Sequence, residues 1–214
     1  MSESMLVFEA DRIGYGECVV VADVRLEVAR AATQFLVGEN GTGKSTLLRA
    51  IARLTTGATK LEIAGRDLLT ATPRELAAAR VYIGQRTAPS FGYSIAEVIS
   101  WGGFAKSAVV DVTAAASIAG IREPLNTPVD RLSGGQWARV QIARAIAQDC
   151  ELWLLDEADA ALDAKGRNEL YEYLGSAKKT VVAISHDLGT VRRFASAVSQ
   201  VAAGSVSPLA VADL

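Results

Sequence analysis

Residues 38–46 read GENGTGKST, and no other stretch of the chain restricts its fold so tightly. Gly38, Gly43, Lys44 and Ser45 satisfy the spacing G-x-x-x-x-G-K-[ST]. Before it, Thr33 to Val37 reads as a short buried strand. After it, Thr46 to Arg53 reads as a helix with Leu47, Leu48 and Ile51 on its apolar side. Strand, glycine-rich turn and helix is the context in which this spacing becomes a phosphate cradle. The turn lets the backbone N–H groups of Gly38, Glu39, Asn40, Gly41, Thr42 and Gly43 curl around phosphates. The helix start at Lys44, Ser45 and Thr46 adds partial positive charge. Lys44 supplies a mobile ammonium for the β- and γ-phosphates, and the Ser45 hydroxyl is a hard oxygen ligand suited to Mg²⁺.

The rest of the composition narrows the class. The chain has 214 residues, 50% of them hydrophobic, enough for one well-buried core and at most a small subdomain. No apolar run reaches the length of a membrane-spanning helix, and the acidic start MSESMLVFEADR does not read as a signal peptide. The expected location is therefore cytoplasmic. A net charge of −2 without a long basic run argues against a nucleic-acid partner. Cys18 and Cys150 sit among apolar neighbours and read as small core residues rather than a disulfide or metal pair.

Along the chain the first third is β-rich. Met5 to Phe8 is apolar, and Val24, Leu26 and Val28 alternate with Arg25 and Glu27. Leu61 to Ala64 is a strand, Arg74 to Arg80 a helix with Pro73 at its first turn, and Val81 to Ile83 a strand running into Gly84 and Gln85. Residues 86–146 read as a helical subdomain. A capping box at Ser94 to Glu97 precedes Val98 and Ile99, Val112 to Ile118 forms a helix closed by Gly120, and Gly134 to Gln148 forms another. Strands and helices then alternate: Leu152 to Leu155, Lys165 to Leu174, Val181 to Ile184, Leu188 to Phe194, and a last strand Val198 to Ala202 turned by Gly204. The fold class is α/β: a phosphate-loop NTPase core with a mostly parallel sheet and flanking helices over 1–85 and 147–214, an N-terminal antiparallel β part, and the inserted helices.

Five further features bear on chemistry. Leu152 to Leu155 ends in Asp156 and Glu157, where ligands of such sheets bind; Asp156 is placed to hold Mg²⁺ and Glu157 to orient or deprotonate an attacking water. Ser133, Gly134, Gly135 and Gln136 open a helix, which suits an anion site and an ordinary helix cap equally. His186, the only histidine, ends a strand at the sheet edge shared with Gly38 and Asp156 and could donate to a terminal phosphate. Gln85 could ligate Mg²⁺ or water, or be a plain polar strand end. Tyr15, between Gly14 and Gly16, reads first as a turn tyrosine, although its ring could stack on a purine.

Taken together these residues resemble the ATP-binding-cassette ATPases over nearly the whole chain. GENGTGKST is similar to that family's Walker A, YIGQ ending at Gln85 to its Q-loop, LSGGQ to its signature, and LWLLDE to its Walker B with Glu157 as the catalytic glutamate. Ala161-Leu162-Asp163 resembles the D-loop, His186 the switch histidine, and Tyr15 the adenine-stacking aromatic. The resemblance implies ATP and Mg²⁺ as ligands. It also implies a head-to-tail dimer with a second ATPase subunit, identical or related, in which Ser133, Gly134, Gly135 and Gln136 cap the partner's nucleotide. It further implies an integral membrane permease on a separate chain, which would place this subunit peripherally on the inner face of the cell membrane. Ile95 to Gly102 is similar to the stretch after the Q-loop in importers of metal ions and metal chelates. Small exporter subunits and soluble single-cassette ATPases, such as the iron–sulfur assembly type, are the alternatives. One departure stands out: Ala158 and Asp159 occupy the places of the family's Pro and Thr or Ser, which puts an extra carboxylate near the expected dimer seam.

Overall fold

The computed structural model describes residues 4–84 and 92–214. The chain opens with a hairpin of two long strands, β1 (Ser4–Tyr15) and β2 (Cys18–Ala29). Tyr15 pairs with Cys18, so the turn is Gly16-Glu17, and Gly16 takes the positive φ of 57° that a tight hairpin demands. Then follow β3 (Thr33–Val37), α1 (Lys44–Ile51), β4 (Lys60–Ile63), β5 (Arg66–Asp67), α2 (Pro73–Ala79) and β6 (Arg80–Ile83). The helices α3 (Ile95–Ser100), α4 (Val112–Ile118) and α5 (Gly134–Gln148) come next. The chain closes with β7 (Leu152–Asp156), α6 (Ala164–Ser176), β8 (Thr180–Ile184), α7 (Leu188–Phe194), β9 (Ala197–Ala202) and β10 (Ser205–Leu209).

Two sheets form. An antiparallel one has the order β2-β1-β4-β5, and a six-stranded one the order β10-β9-β3-β8-β7-β6. In the second, β9, β3, β8, β7 and β6 are all parallel and only β10 runs against its neighbour. Every residue of β7 and β8 is buried, so these strands read as continuous apolar runs. Their period of two still sorts the side chains. Leu152, Leu154, Val182 and Ile184 join the hairpin and α1 in one core, while Trp153, Leu155, Val181 and Ala183 join α5 and α6 in another. The central sheet is thus a wall between two apolar layers.

Helix starts follow local chemistry. Thr72, Ser94 and Ser133 each build a complete capping box, and Asp111, Asp163 and Asp187 cap α4, α6 and α7 through their carboxylates.

Three expectations need correction. Cys18 is exposed at the start of β2, because the hairpin tip projects beyond the core; Cys150 alone is buried. Arg80 opens β6 rather than closing α2. The strand turned by Gly204 is not the last. β10 follows, an edge strand of sequence SVSPL with no fully buried residue, whose Pro208 is tolerated at the sheet margin and interrupts the apolar alternation.

Candidate active site

The parallel register decides which residues meet. Leu36 of β3 and Asp156 of β7 both lie opposite Ile184, the last residue of β8. The residues that follow these strands therefore emerge at one edge of the sheet, about one strand spacing of 4.8 Å apart.

The first of those loops is the glycine-rich one. Gly38 has φ 146°, and a Cβ there would meet the Val201 carbonyl oxygen at 2.2 Å; Gly43 has φ 102°, and a Cβ there would strike Val20 and Val21. Neither position admits a side chain, so the backbone path of the loop depends on both. The loop feeds α1, which alone among the described α-helices starts without a side-chain cap. Its first-turn N–H groups are left facing outward for an anion. Lys44 lies 7% exposed, and its ammonium donates to the carbonyls of Gly38 at 2.8 Å and Glu39 at 2.7 Å. Burial draws its pKa down, while the nearby Glu157 and Asp156 carboxylates oppose that shift. Thr42 Oγ1 donates to the Glu39 carbonyl, closing the tip of the loop.

Asp156 is 2% exposed, and both of its oxygens are occupied. Oδ1 accepts from the Ser45 hydroxyl at 2.7 Å and Oδ2 from the Tyr82 hydroxyl at 2.8 Å. Burial first, then the Asp156 carboxylate, pushes the Tyr82 phenol up to about 12, so it remains a donor at neutral pH. Arg49 donates to the Tyr82 oxygen at 3.5 Å and stands 4.0 Å from Asp156 Oδ2. Ser45 and Arg49 are four apart on α1 and so share a helix face. That spacing, with a tyrosine on the neighbouring strand, is the signal by which Arg49 and Tyr82 could have been found from sequence.

Glu157 stands just past β7. It adopts φ 54°, a left-handed conformation that costs a non-glycine residue on the order of 1 kcal/mol, and its N–H donates to the Ile184 carbonyl at 3.2 Å. This bend turns the carboxylate toward the next strand end, where His186 Nε2 lies 3.0 Å from Glu157 Oε1. His186 is half exposed and Glu157 less so.

The remaining sequence candidates lie elsewhere. Tyr15 is exposed at the hairpin tip. Ser133 accepts from the Gln136 N–H while Gln136 Oε1 accepts from the Ser133 N–H, so the capping reading is realised, with the serine O–H still able to donate outward. Gln136 also donates to Glu123, and the Gly135 Cα faces the Ala161 carbonyl of the loop before α6. Gln85 lies outside the described residues. Asp159 departs from expectation. It is 2% exposed, directed into the chain, because the Ser185 and Tyr171 hydroxyls give its carboxylate partners inside.

The donor set suits a hydrated Mg²⁺. Two hard oxygens, Ser45 Oγ and Asp156 Oδ1, already converge. No cluster of three or more His, Cys, Asp or Glu able to hold a metal exists among the described residues. An ion that keeps its waters and takes phosphate oxygens needs no more than this.

Comparison with known proteins gives consistent results. A family model described as ABC transporter matches residues 21–160. The chain is 30% identical over 208 residues to the iron(3+)-hydroxamate import ATP-binding protein FhuC of Bacillus subtilis (strain 168), covering 91% of this chain and 77% of that protein. It is 32% identical over 222 residues to the hemin import ATP-binding protein HmuV of Rhodopseudomonas palustris (strain HaA2), covering 93% and 82%. A solved structure, titled "Structure of ATP binding subunit of ABC transporter", superposes with a TM-score of 0.85 at 22% identity over 98% of this chain and 91% of that one. At that identity it speaks to the fold alone.

Proposed function

Since the chain belongs to the ABC transporter family, we propose that it is the ATP-hydrolysing subunit that drives a separate membrane permease importing a metal chelate. The substrate class rests on the two import relatives, named for iron–hydroxamate and for hemin. In this reading residues 1–85 and 147–214 form the nucleotide-binding core, and 86–146 the helical part that meets the permease. Tyr93 and Trp101, packed edge to face at 5.0 Å, and the 79% exposed Phe104 offer that permease an apolar contact. No helix among the described residues is long and apolar enough to cross a membrane, in keeping with a peripheral seat on the inner face of the cell membrane.

The single observation that carries the mechanism is the Glu157–His186 pair, 3.0 Å apart and beside Lys44 and Asp156. Lys44 and the α1 N-terminus hold the β- and γ-phosphates, and Tyr15 stacks on the adenine. Ser45 and Asp156, with Gln85, would hold Mg²⁺, which would supply positive charge against the phosphates. Glu157 accepts the proton of the attacking water as its oxygen bonds the γ-phosphorus and the bond from that phosphorus to the β,γ-bridging oxygen breaks, leaving ADP and inorganic phosphate. His186, whose Nε2 lies 3.0 Å from Glu157 Oε1, turns its N–H from that carboxylate to the γ-phosphate when nucleotide is bound. Ser133, Gly134, Gly135 and Gln136 of one subunit close over the nucleotide of a second, so that closure depends on the γ-phosphate and hydrolysis releases it.

Glu157→Gln is the test. Loss of the base lowers kcat by about 10²- to 10⁴-fold. ATP binding persists, and light scattering shows an ATP-dependent dimer. A Glu157→Gln protein that hydrolyses ATP at the wild-type rate sinks the assignment.

A further inference from the structure

Asp159 has no part in the chemistry above, yet among the described residues it and Asp156 are the two buried carboxyl groups. Its Oδ2 accepts from Ser185 Oγ at 2.8 Å and from the Tyr171 hydroxyl at 3.4 Å. Ser185 Oγ in turn accepts the Asp187 N–H at 3.3 Å. Asp187 Oδ2 pairs with Arg167 at 2.9 Å, Arg167 donates to the Leu162 carbonyl at 2.7 Å, and the Leu162 N–H returns to the Asp159 carbonyl at 3.1 Å.

The circuit is closed, and its two sides are the two loops that carry the catalytic pair. One loop runs from Glu157 to Leu162, with the Ala160 N–H on the Glu157 carbonyl at 3.1 Å. The other is Ser185 to Asp187, with His186 at its centre. A chain that placed an apolar or purely hydroxylic side chain at position 159 would lack the carboxylate that draws both hydroxyls inward. Ser185 is 6% exposed and Tyr171 3%, so water cannot replace it.

We infer that Asp159 is a positioning residue, whose buried carboxyl pins the Glu157 loop to the His186 loop and so sets the separation of the catalytic pair. The inference rests on the proposed roles of Glu157 and His186. It says nothing of nucleotide affinity, because the phosphate loop lies on the other side of β8 and outside the circuit.

Steady-state ATP hydrolysis by four variants tests it, each checked for native circular dichroism. Asp159→Leu keeps the volume and removes the acceptor, and kcat falls about 10- to 100-fold, the usual penalty for a misplaced catalytic group, while KM for ATP stays within about threefold. Asp159→Asn retains a carbonyl acceptor and recovers kcat to within about threefold of wild type. Ser185→Ala lowers kcat as Asp159→Leu does, and the double variant is no slower than either single one, because both break the same link. Wild-type kcat in Asp159→Leu, or multiplicative losses in the double variant, overturns the inference. If Asp159→Leu fails to fold, Ser185→Ala decides alone: wild-type kcat there also overturns it. Glu157→Gln in the same assay separates the two claims. An inactive Glu157→Gln beside a fully active Asp159→Leu refutes only the positioning role, whereas an active Glu157→Gln refutes the base.

Discussion

Replacing Tyr82 by Phe removes one oxygen and leaves the ring and the strand in place. The consequence falls on Asp156. Its Oδ1 keeps the Ser45 hydroxyl at 2.7 Å, but Oδ2 loses the donor at 2.8 Å. With Asp156 only 2% exposed, solvent does not take over. A hydrogen bond to a charged acceptor is worth about 1.5–3 kcal/mol. Arg49, 4.0 Å from Oδ2, has room to close in and recover part of it. The expected loss is therefore about 1–2 kcal/mol, or about 2–8 °C in Tm for a chain of this length. Urea unfolding at neutral pH measures it, with the slope compared to confirm that the unfolded state is unchanged. Asp156→Asn and the double variant complete a cycle whose coupling should be about 1–2 kcal/mol. A Tyr82→Phe protein with the wild-type midpoint, or a cycle that is simply additive, would refute the idea that the phenol holds this carboxylate.

Two other outcomes follow from the same geometry. Lys44→Ala removes the only ammonium in the phosphate loop and should weaken ATP binding about 10- to 100-fold by calorimetric titration; unchanged affinity would count against the loop's role. Asp159 adds a pH signature to stability. Burial raises its pKa in the folded chain above the ordinary 3.8, against the pull of Ser185, Tyr171 and Arg167. Its contribution is thus fully present below about pH 4 and is lost as pH rises through the folded value. Wild type should lose stability relative to Asp159→Asn across that window and run parallel to it above. A constant difference would mean that the carboxyl titrates alike in both states.

Much of this architecture is legible in the amino-acid order because its elements are locally marked. The caps at Ser94 and Ser133, the apolar runs of β7 and β8, and the glycines at 38 and 43 each act within a few residues. What is not legible acts across the sheet. Arg49, Tyr82 and Asp156 are far apart in the chain and meet only because β6 pairs with β7 and α1 lies over them. Asp159 illustrates the same limit from the other side. A charged side chain in a polar loop reads as solvent-facing, and only Ser185 and Tyr171, supplied by a later strand end and by α6, make its burial tolerable. Cys18 shows the reverse, since apolar neighbours in sequence do not bury a residue at a hairpin tip.

The bonds from Lys44 to the Gly38 and Glu39 carbonyls bear on how fast such a site can be reused. The ammonium has two carbonyl partners within its own loop, and in the proposed role it exchanges them for phosphate oxygens when a nucleotide binds. A departing product finds the same two carbonyls ready to take the cation back. Neither filling nor emptying passes through a bare buried charge, so the loop adds little to the barrier for nucleotide exchange.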